Sequence, residues 1–305
     1  MLIARSSTSV QNARLLHGIC IGRALTSLFV ERAGLVFDTR FVPGAAESNG
    51  AMACLYIVLE GVWQAEGREP FVGPTAFLLS EAQLEGSSGV RPFTFRAWGD
   101  PFVAVELRIS TKYFLAKLGA EPTPIALADS VWAAVRVATK KMHEKDDAPG
   151  RESVVDLVRA LAETGVVRRT LVEQVLLRSP GFERLWEAVR PIAERFYLNP
   201  SLQELSAESG VSTRQLTRDL TGFVGTIGLV KTGWRAATKR LRLKLAVLFL
   251  SAEGVSVTET ARIVGYGSSD AMARAFRDAA LPSPSDVQAS LRLLHPTAST
   301  RIRAY

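Results

Sequence analysis

The 305-residue chain reads as an α+β protein of two domains. A β-rich barrel or sandwich comes first, a helical connector follows, and an all-α domain with two helix-turn-helix motifs closes the chain. Three observations predict this. Short apolar runs broken by Gly, Pro and Asp fill the first 110 residues; from about Thr111 the apolar spacing turns helical; and one helix–glycine–helix pattern occurs twice in the last third. The boundaries fall at 1–115, 116–180 and 181–305.

In the first domain Leu35–Phe41 is a short apolar-leaning run. Met52–Leu59 (MACLYIVL) leads into Glu60-Gly61, and Val62–Glu66 stops at Gly67. Phe71–Ser80 contains Gly73-Pro74 and the run Ala76-Phe77-Leu78-Leu79. Phe93, Phe95 and Ala97 alternate with Thr94, Arg96 and Trp98, and Gly99-Asp100-Pro101 separates this arm from Phe102–Ile109. Two strand-period arms about such a turn predict a hairpin. Many short strands predict a sandwich or small barrel.

In the connector, Pro122 and Pro124 mark the junction. Val131–His143 reads as a helix, Asp146–Gly150 as a loop, and Ser153–Ala162 as an amphipathic helix. A further helix near Leu171–Leu177 ends at Ser179-Pro180-Gly181. These helices pack on the sheet or pair with a second copy of the chain, giving a homodimer; the sequence leaves both open.

In the last third, Ser201–Leu220 reads SLQELSAESGVSTRQLTRDL. Leu202 and Leu205 mark a helix that stops at Gly210. Ser212 is placed to cap a second helix, which sets Leu216 and Leu220 on one face. A helix-turn-helix needs a glycine that accepts positive φ, small residues where the helices touch (Ser206, Ala207) and apolar contacts that hold the angle. The outward face then offers Ser212, Thr213, Arg214, Thr217 and Arg218, ligands for phosphates and base edges. Ser256–Arg277 (SVTETARIVGYGSSDAMARAFR) repeats the unit. Its Ala261, Val264, Gly265 and Tyr266 stand where Ser206, Ser209, Gly210 and Val211 stand in the first. Its second helix starts at Ser268 or Ser269, turns Met272 and Phe276 inward, and leaves Arg274 and Arg277 outside. Between the units, Gly233–Leu250 predicts a basic helix of about 27 Å. That length suits recognition helices about 34 Å, one duplex turn, apart.

Charge agrees with the motifs. Of the net +7, residues 198–305 carry 14 basic and 8 acidic side chains, whereas 1–119 hold 11 and 10 and 120–197 hold 12 of each. A basic domain beside two near-neutral ones fits a polyanion partner, double-stranded DNA. No apolar run reaches the roughly 18 residues of a membrane span, and residues 1–30 lack a signal-peptide core, so a cytoplasmic protein is expected. Cys20 and Cys54 sit in apolar contexts without metal or redox spacing. With His17, His143 and His295 the only histidines, neither a metal site nor another cofactor is expected. Gly-x-Ser-x-Gly, phosphate-loop and dinucleotide fingerprints are absent, so the chain reads as no enzyme. In the first domain Trp63, Arg96, Trp98 and Arg108 are candidates to orient a small anionic or aromatic effector; core tryptophans and surface arginines are the plainer account of the same residues.

The region from about Phe182 to Gln288 resembles the AraC/XylS transcription regulators. The carrying residues are LSAESGVSTRQLTR, KRLRLKLAVLFL, and VGYGSSDAMARAFR followed by SPSD at 283–286. The resemblance implies promoter binding through both units, activation through RNA polymerase, and a cupin-like effector barrel in front. Departures from the pattern are Asp219, Thr260, Ala271, Met272, Leu281 and Val287, and the usual Gly-x-x-Pro is not recognisable in 225–234. They leave an alternative: an interaction or ligand-binding regulator whose DNA-binding motifs have decayed.

Overall fold

The computed structural model describes residues 1–22, 24–42, 52–80, 94–119, 121–177, 180–195, 198, 200–226 and 234–293. Phe93, Ser179, Gly233 and His295, used above, lie outside them. The first 33 residues form a meander, β1 (Leu2–Val10), β2 (Ala13–Ile21) and β3 (Leu25–Ala33), none of which the sequence patterns had resolved singly. Then come β4 (Phe37–Asp38), β5 (Met52–Ala65), β6 (Phe71–Val72), β7 (Thr75–Ser80), β8 (Phe95–Ser110) and β9 (Thr123–Pro124). All pair antiparallel in one sheet of order β1-β2-β3-β8-β5-β7-β9, with β4 on β8 and β6 on β5.

The hairpin expected at Gly99-Asp100-Pro101 does not form. Both arms belong to β8 and both pair with β5, Trp98 opposite Val62 and Val103 opposite Glu60. Residues 99–102 therefore face Gly61 alone and are absorbed as a bulge. Glycine is required on both sides. A Cβ on Gly99 would stand 2.8 Å from the Gly61 Cα, and one on Gly61, at φ +94, would stand 2.7 Å from the Trp98 carbonyl oxygen. The same Gly61 joins two predicted runs, 52–59 and 62–66, into one bent strand.

One face of the sheet, with Ile3, Phe29, Leu55, Ile57, Val105 and Leu107, packs on three helices. These are α1 (Asp129–Met142), α2 (Asp147–Glu163) and α3 (Thr170–Leu176). Residues 147–150, expected as loop, are the first turn of α2: the Asp146 carboxylate accepts from the Ala148 N–H, and Pro149 fits an early helical position. The opposite face closes over an aromatic interior of Tyr56, Trp63, Phe77, Phe95 and Phe102.

The remaining helices are α4 (Pro180–Glu194), α5 (Leu202–Ser209), α6 (Thr213–Thr226), α7 (Trp234–Leu250), α8 (Val257–Ile263), α9 (Ser269–Arg277) and α10 (Pro284–Arg292). They rest directly on the meander. Ala4 and Ile21 join Leu185, Trp186, Leu205, Leu216 and Leu220 in one cluster, while Ala13, Leu15 and Leu35 join Phe249, Val255 and Phe276 in another. Polar ties fix both contacts. Trp186 Nε1 donates to the Ile3 carbonyl at 3.2 Å, and the Val36 N–H donates to Ser251 Oγ at 2.8 Å. The Asp147 carboxylate accepts from Arg5 of β1 and, at 3.2 Å, from Arg190 of α4.

Candidate nucleic-acid interface

The first unit is built from its caps inward. Ser201 Oγ accepts from the Glu204 N–H at 3.2 Å, and the Glu204 carboxylate accepts from the Ser201 N–H at 2.5 Å, a closed capping box. Those bonds hold the Glu204 carboxyl below the usual carboxylate range. Helix α5 ends at Gly210, whose φ of +65 is the left-handed conformation glycine adopts most cheaply. Ser206 Oγ ties back across the turn to the Val211 carbonyl at 2.5 Å. Ser212 Oγ then accepts from the Gln215 N–H at 3.3 Å and starts α6. With Leu216 and Leu220 buried, Ser212, Thr213, Arg214, Thr217 and Arg218 are all exposed. Asp219, one of the departures, accepts from Gln215 Nε2 at 2.7 Å along the same helix.

The second unit repeats the scheme. Ser256 and Glu259 form a second capping box, with 3.1 Å in each direction. Gly265 turns the chain at φ +77, and Ser268 Oγ caps α9 by accepting from the Ala271 N–H at 3.1 Å. Met272 and Phe276 are fully buried, so the side chains that replace the common aromatic pair still fill their site. Ser268, Arg274 and Arg277 are exposed and Ser269 is half-buried. Thr260 is buried, and its hydroxyl meets no partner among the described residues.

A residue that spacing had only counted among the basic side chains of the linking helix holds this unit in shape. Arg242 of α7 is buried. Its Nε donates to the Val264 carbonyl at 2.7 Å, its Nη2 to the Gly265 carbonyl, and its guanidinium lies 4.0 Å from the Tyr266 ring centroid. It therefore pins the turn between α8 and α9 to α7. In the sequence only the leucines around it, Leu241, Leu243 and Leu245, hint at this, because an arginine in a basic helix reads first as a solvated charge. Lys239 lies 3.3 Å from the Asp278 carboxylate, and Arg240 is half-buried.

By overall shape the chain is similar to ToxT of Vibrio cholerae. The identity is 9%, over 88% of this chain and 99% of that one, with a TM-score of 0.37. The AraC-like transcriptional activator CuxR aligns at 12% identity over 79% of this chain and 85% of that one, with a TM-score of 0.32. No family model and no curated protein matches the chain.

The four effector candidates are not brought together. Trp63 is fully buried in the aromatic interior. Arg96 and Trp98 alternate with inward-facing Phe95 and Ala97; the Arg96 guanidinium lies 5.8 Å from the Trp98 ring centroid. Arg108 pairs with Glu106 at 2.5 Å towards the far end of β8. Cys20 and Cys54 are both buried, and burial pushes the Cys20 thiol up to about 12, far from a reactive thiolate. Among the described residues no three His, Cys, Asp or Glu side chains are grouped to hold a metal, and no helix is long and apolar enough to cross a membrane.

Proposed function

We propose that the chain is a sequence-specific, DNA-binding transcription regulator that presents α6 and α9 to two successive major grooves. One observation carries the reading: the same capped helix, glycine turn and capped second helix occurs twice, each time with apolar side chains inward and Arg, Ser or Thr outward. Ser212, Thr213, Arg214, Thr217 and Arg218 serve the first groove, and Ser268, Ser269, Arg274 and Arg277 the second. Hydroxyls and arginines of this kind donate to phosphate oxygens, and an arginine also reads guanine edges bidentately. We extend the reading to activation through RNA polymerase and to control by a small-molecule effector bound in the N-terminal barrel.

A genomic footprint of the full chain, followed by gel-shift titration of the best site at two salt concentrations, tests it. Protection of two consecutive grooves and a steep loss of affinity with salt are expected. Arg214→Ala or Arg218→Ala weakens binding by about 1–3 kcal/mol if that arginine reads a base. Wild-type binding by both variants removes α6 from the mechanism, and weak, sequence-blind binding by the wild type at both salts refutes the regulator reading.

A further inference from the structure

The two recognition helices are in register from their caps. Ser212 Oγ accepts from the Gln215 N–H and Ser268 Oγ from the Ala271 N–H, three residues on in each case. Counted from those caps, Leu216 matches Met272 and Leu220 matches Phe276, and all four are buried. The outward positions match as well: Arg218 falls on Arg274, and Arg214 falls on Asp270. The second position after the cap therefore carries opposite charge in the two units.

Asp270 is exposed and shares the outer stripe of α9 with Arg274 and Arg277, four and seven residues on. An acid and a base at four-residue spacing on one helix can meet, yet Asp270 and Arg274 form no ion pair. Among the described residues no other cation takes up the Asp270 carboxylate; the ion pair made beside α9 is that of Asp278 with Lys239. An acid in a first turn suits the helix dipole, but this one stands on a face whose other charges are arginines. Beside a duplex a carboxylate there is repelled by the phosphates, unless it accepts a hydrogen bond from a base. In the major groove only cytosine N4 and adenine N6 offer donors. Adenine sets the acceptor N7 beside its donor, so a carboxylate favours cytosine.

We propose that Asp270 is a specificity-determining residue of the second unit: it accepts from the N4 amine of a cytosine, whereas Arg214, at the matching position of the first unit, reads a guanine. The inference rests on the proposed DNA-binding role and names what that role recognises. Arg274 stands about 6 Å further along α9, so a guanine read by it lies within about two base pairs of the cytosine. The charge reversal makes the two half-sites non-interchangeable. With the half-sites exchanged, guanine acceptors would face the Asp270 carboxylate, and that repulsion rejects the reversed placement. The chain therefore sits on its operator in one direction only.

Selection by the full chain and its variants from duplexes randomised across both grooves, read by sequencing, tests this. The wild type is expected to enrich cytosine at one position of the α9 half-site, the one whose pattern Arg274→Ala disturbs. Asp270→Ala loses that preference by roughly fivefold or more. Asp270→Asn moves it to adenine, because an asparagine amide pairs bidentately with N6 and N7. The α6 half-site keeps its wild-type pattern in both variants, which also shows that they are folded; should Asp270→Ala lose that pattern too, Asp270→Asn decides. The proposal is overturned if Asp270→Ala keeps the wild-type preference at every position, which leaves the carboxylate as a steadying charge at the helix end. It is also overturned if the preference lost on Asp270→Ala is for a base other than cytosine. A wild type that enriches no sequence refutes the regulator reading and this inference with it. One that enriches two half-sites, neither answering to Asp270, refutes this inference alone.

Discussion

Replacing Arg242 by methionine isolates the link between α7 and the second unit. Methionine occupies the stem of the side chain and removes the guanidinium, with its donors to the Val264 and Gly265 carbonyls and its stacking on Tyr266. A hydrogen bond from a charged donor contributes about 1.5–3 kcal/mol and a cation–π contact about 0.5–2 kcal/mol. Burial of the cation offsets part of this, and desolvation does hold the Arg242 pKa below its ordinary value. A net loss of about 3 kcal/mol follows, roughly 12–24 °C in the melting of a helical domain of about 100 residues. Hydrogen exchange followed by mass spectrometry reads the effect locally: amides of α8 and α9 lose protection while those of α5 and α6 keep theirs. In a footprint, the half-site assigned to α9 fades and the other remains. Unchanged exchange in α8 and α9 would refute the assignment of Arg242 as the strut, and Arg242→Lys, which keeps a charge without the fork, should fall between the two.

Two further outcomes test the first domain. Gly99→Ala forces a Cβ to within 2.7 Å of the Pro101 carbonyl oxygen and 2.8 Å of the Gly61 Cα, both backbone atoms; a loss of about 1–3 kcal/mol is expected, and a melting temperature equal to the wild type's would show that the bend can relax. His17, which keeps a partly exposed edge, has its pKa lowered to about 3 by desolvation first, then by the charges of Arg32 and His143. Below an unfolded value near 6.5 the unfolded chain takes up a proton that the folded one refuses. Stability present above that pH therefore drains as pH falls towards 3, by up to about 2 kcal/mol at pH 5. His17→Gln should flatten the melting profile between pH 7 and 5, and an unaltered profile contradicts the shift.

The all-α third was legible because its signals are local. Ser201, Gly210, Ser212, Ser256, Gly265 and Ser268 act on groups within a few residues, and each does in the structure what its position suggests. The β domain was less so. Gly99-Asp100-Pro101 has the composition of a hairpin turn, but whether a chain reverses there depends on the strand opposite, and Gly61 is 38 positions away in sequence. In the meander, β1 escaped because Ser and Thr fill every position from Ser6 to Ser9, where apolar periodicity is lost.

Both helix-turn-helix units are bolted to the same three-stranded meander, the first through Ala4 and Ile21 and the second through Ala13 and Leu15. For an operator this has a practical meaning. A regulator whose two reading heads swing on a tether accepts variable spacers, whereas heads on a common mount act as a fixed gauge. Inserting one base pair between the half-sites shifts the second by about 3.4 Å and turns it by about 35° about the duplex. With both heads held on that mount, either the duplex twists or one head lets go. Under the proposed function, target promoters should therefore share one spacer length even where their bases differ.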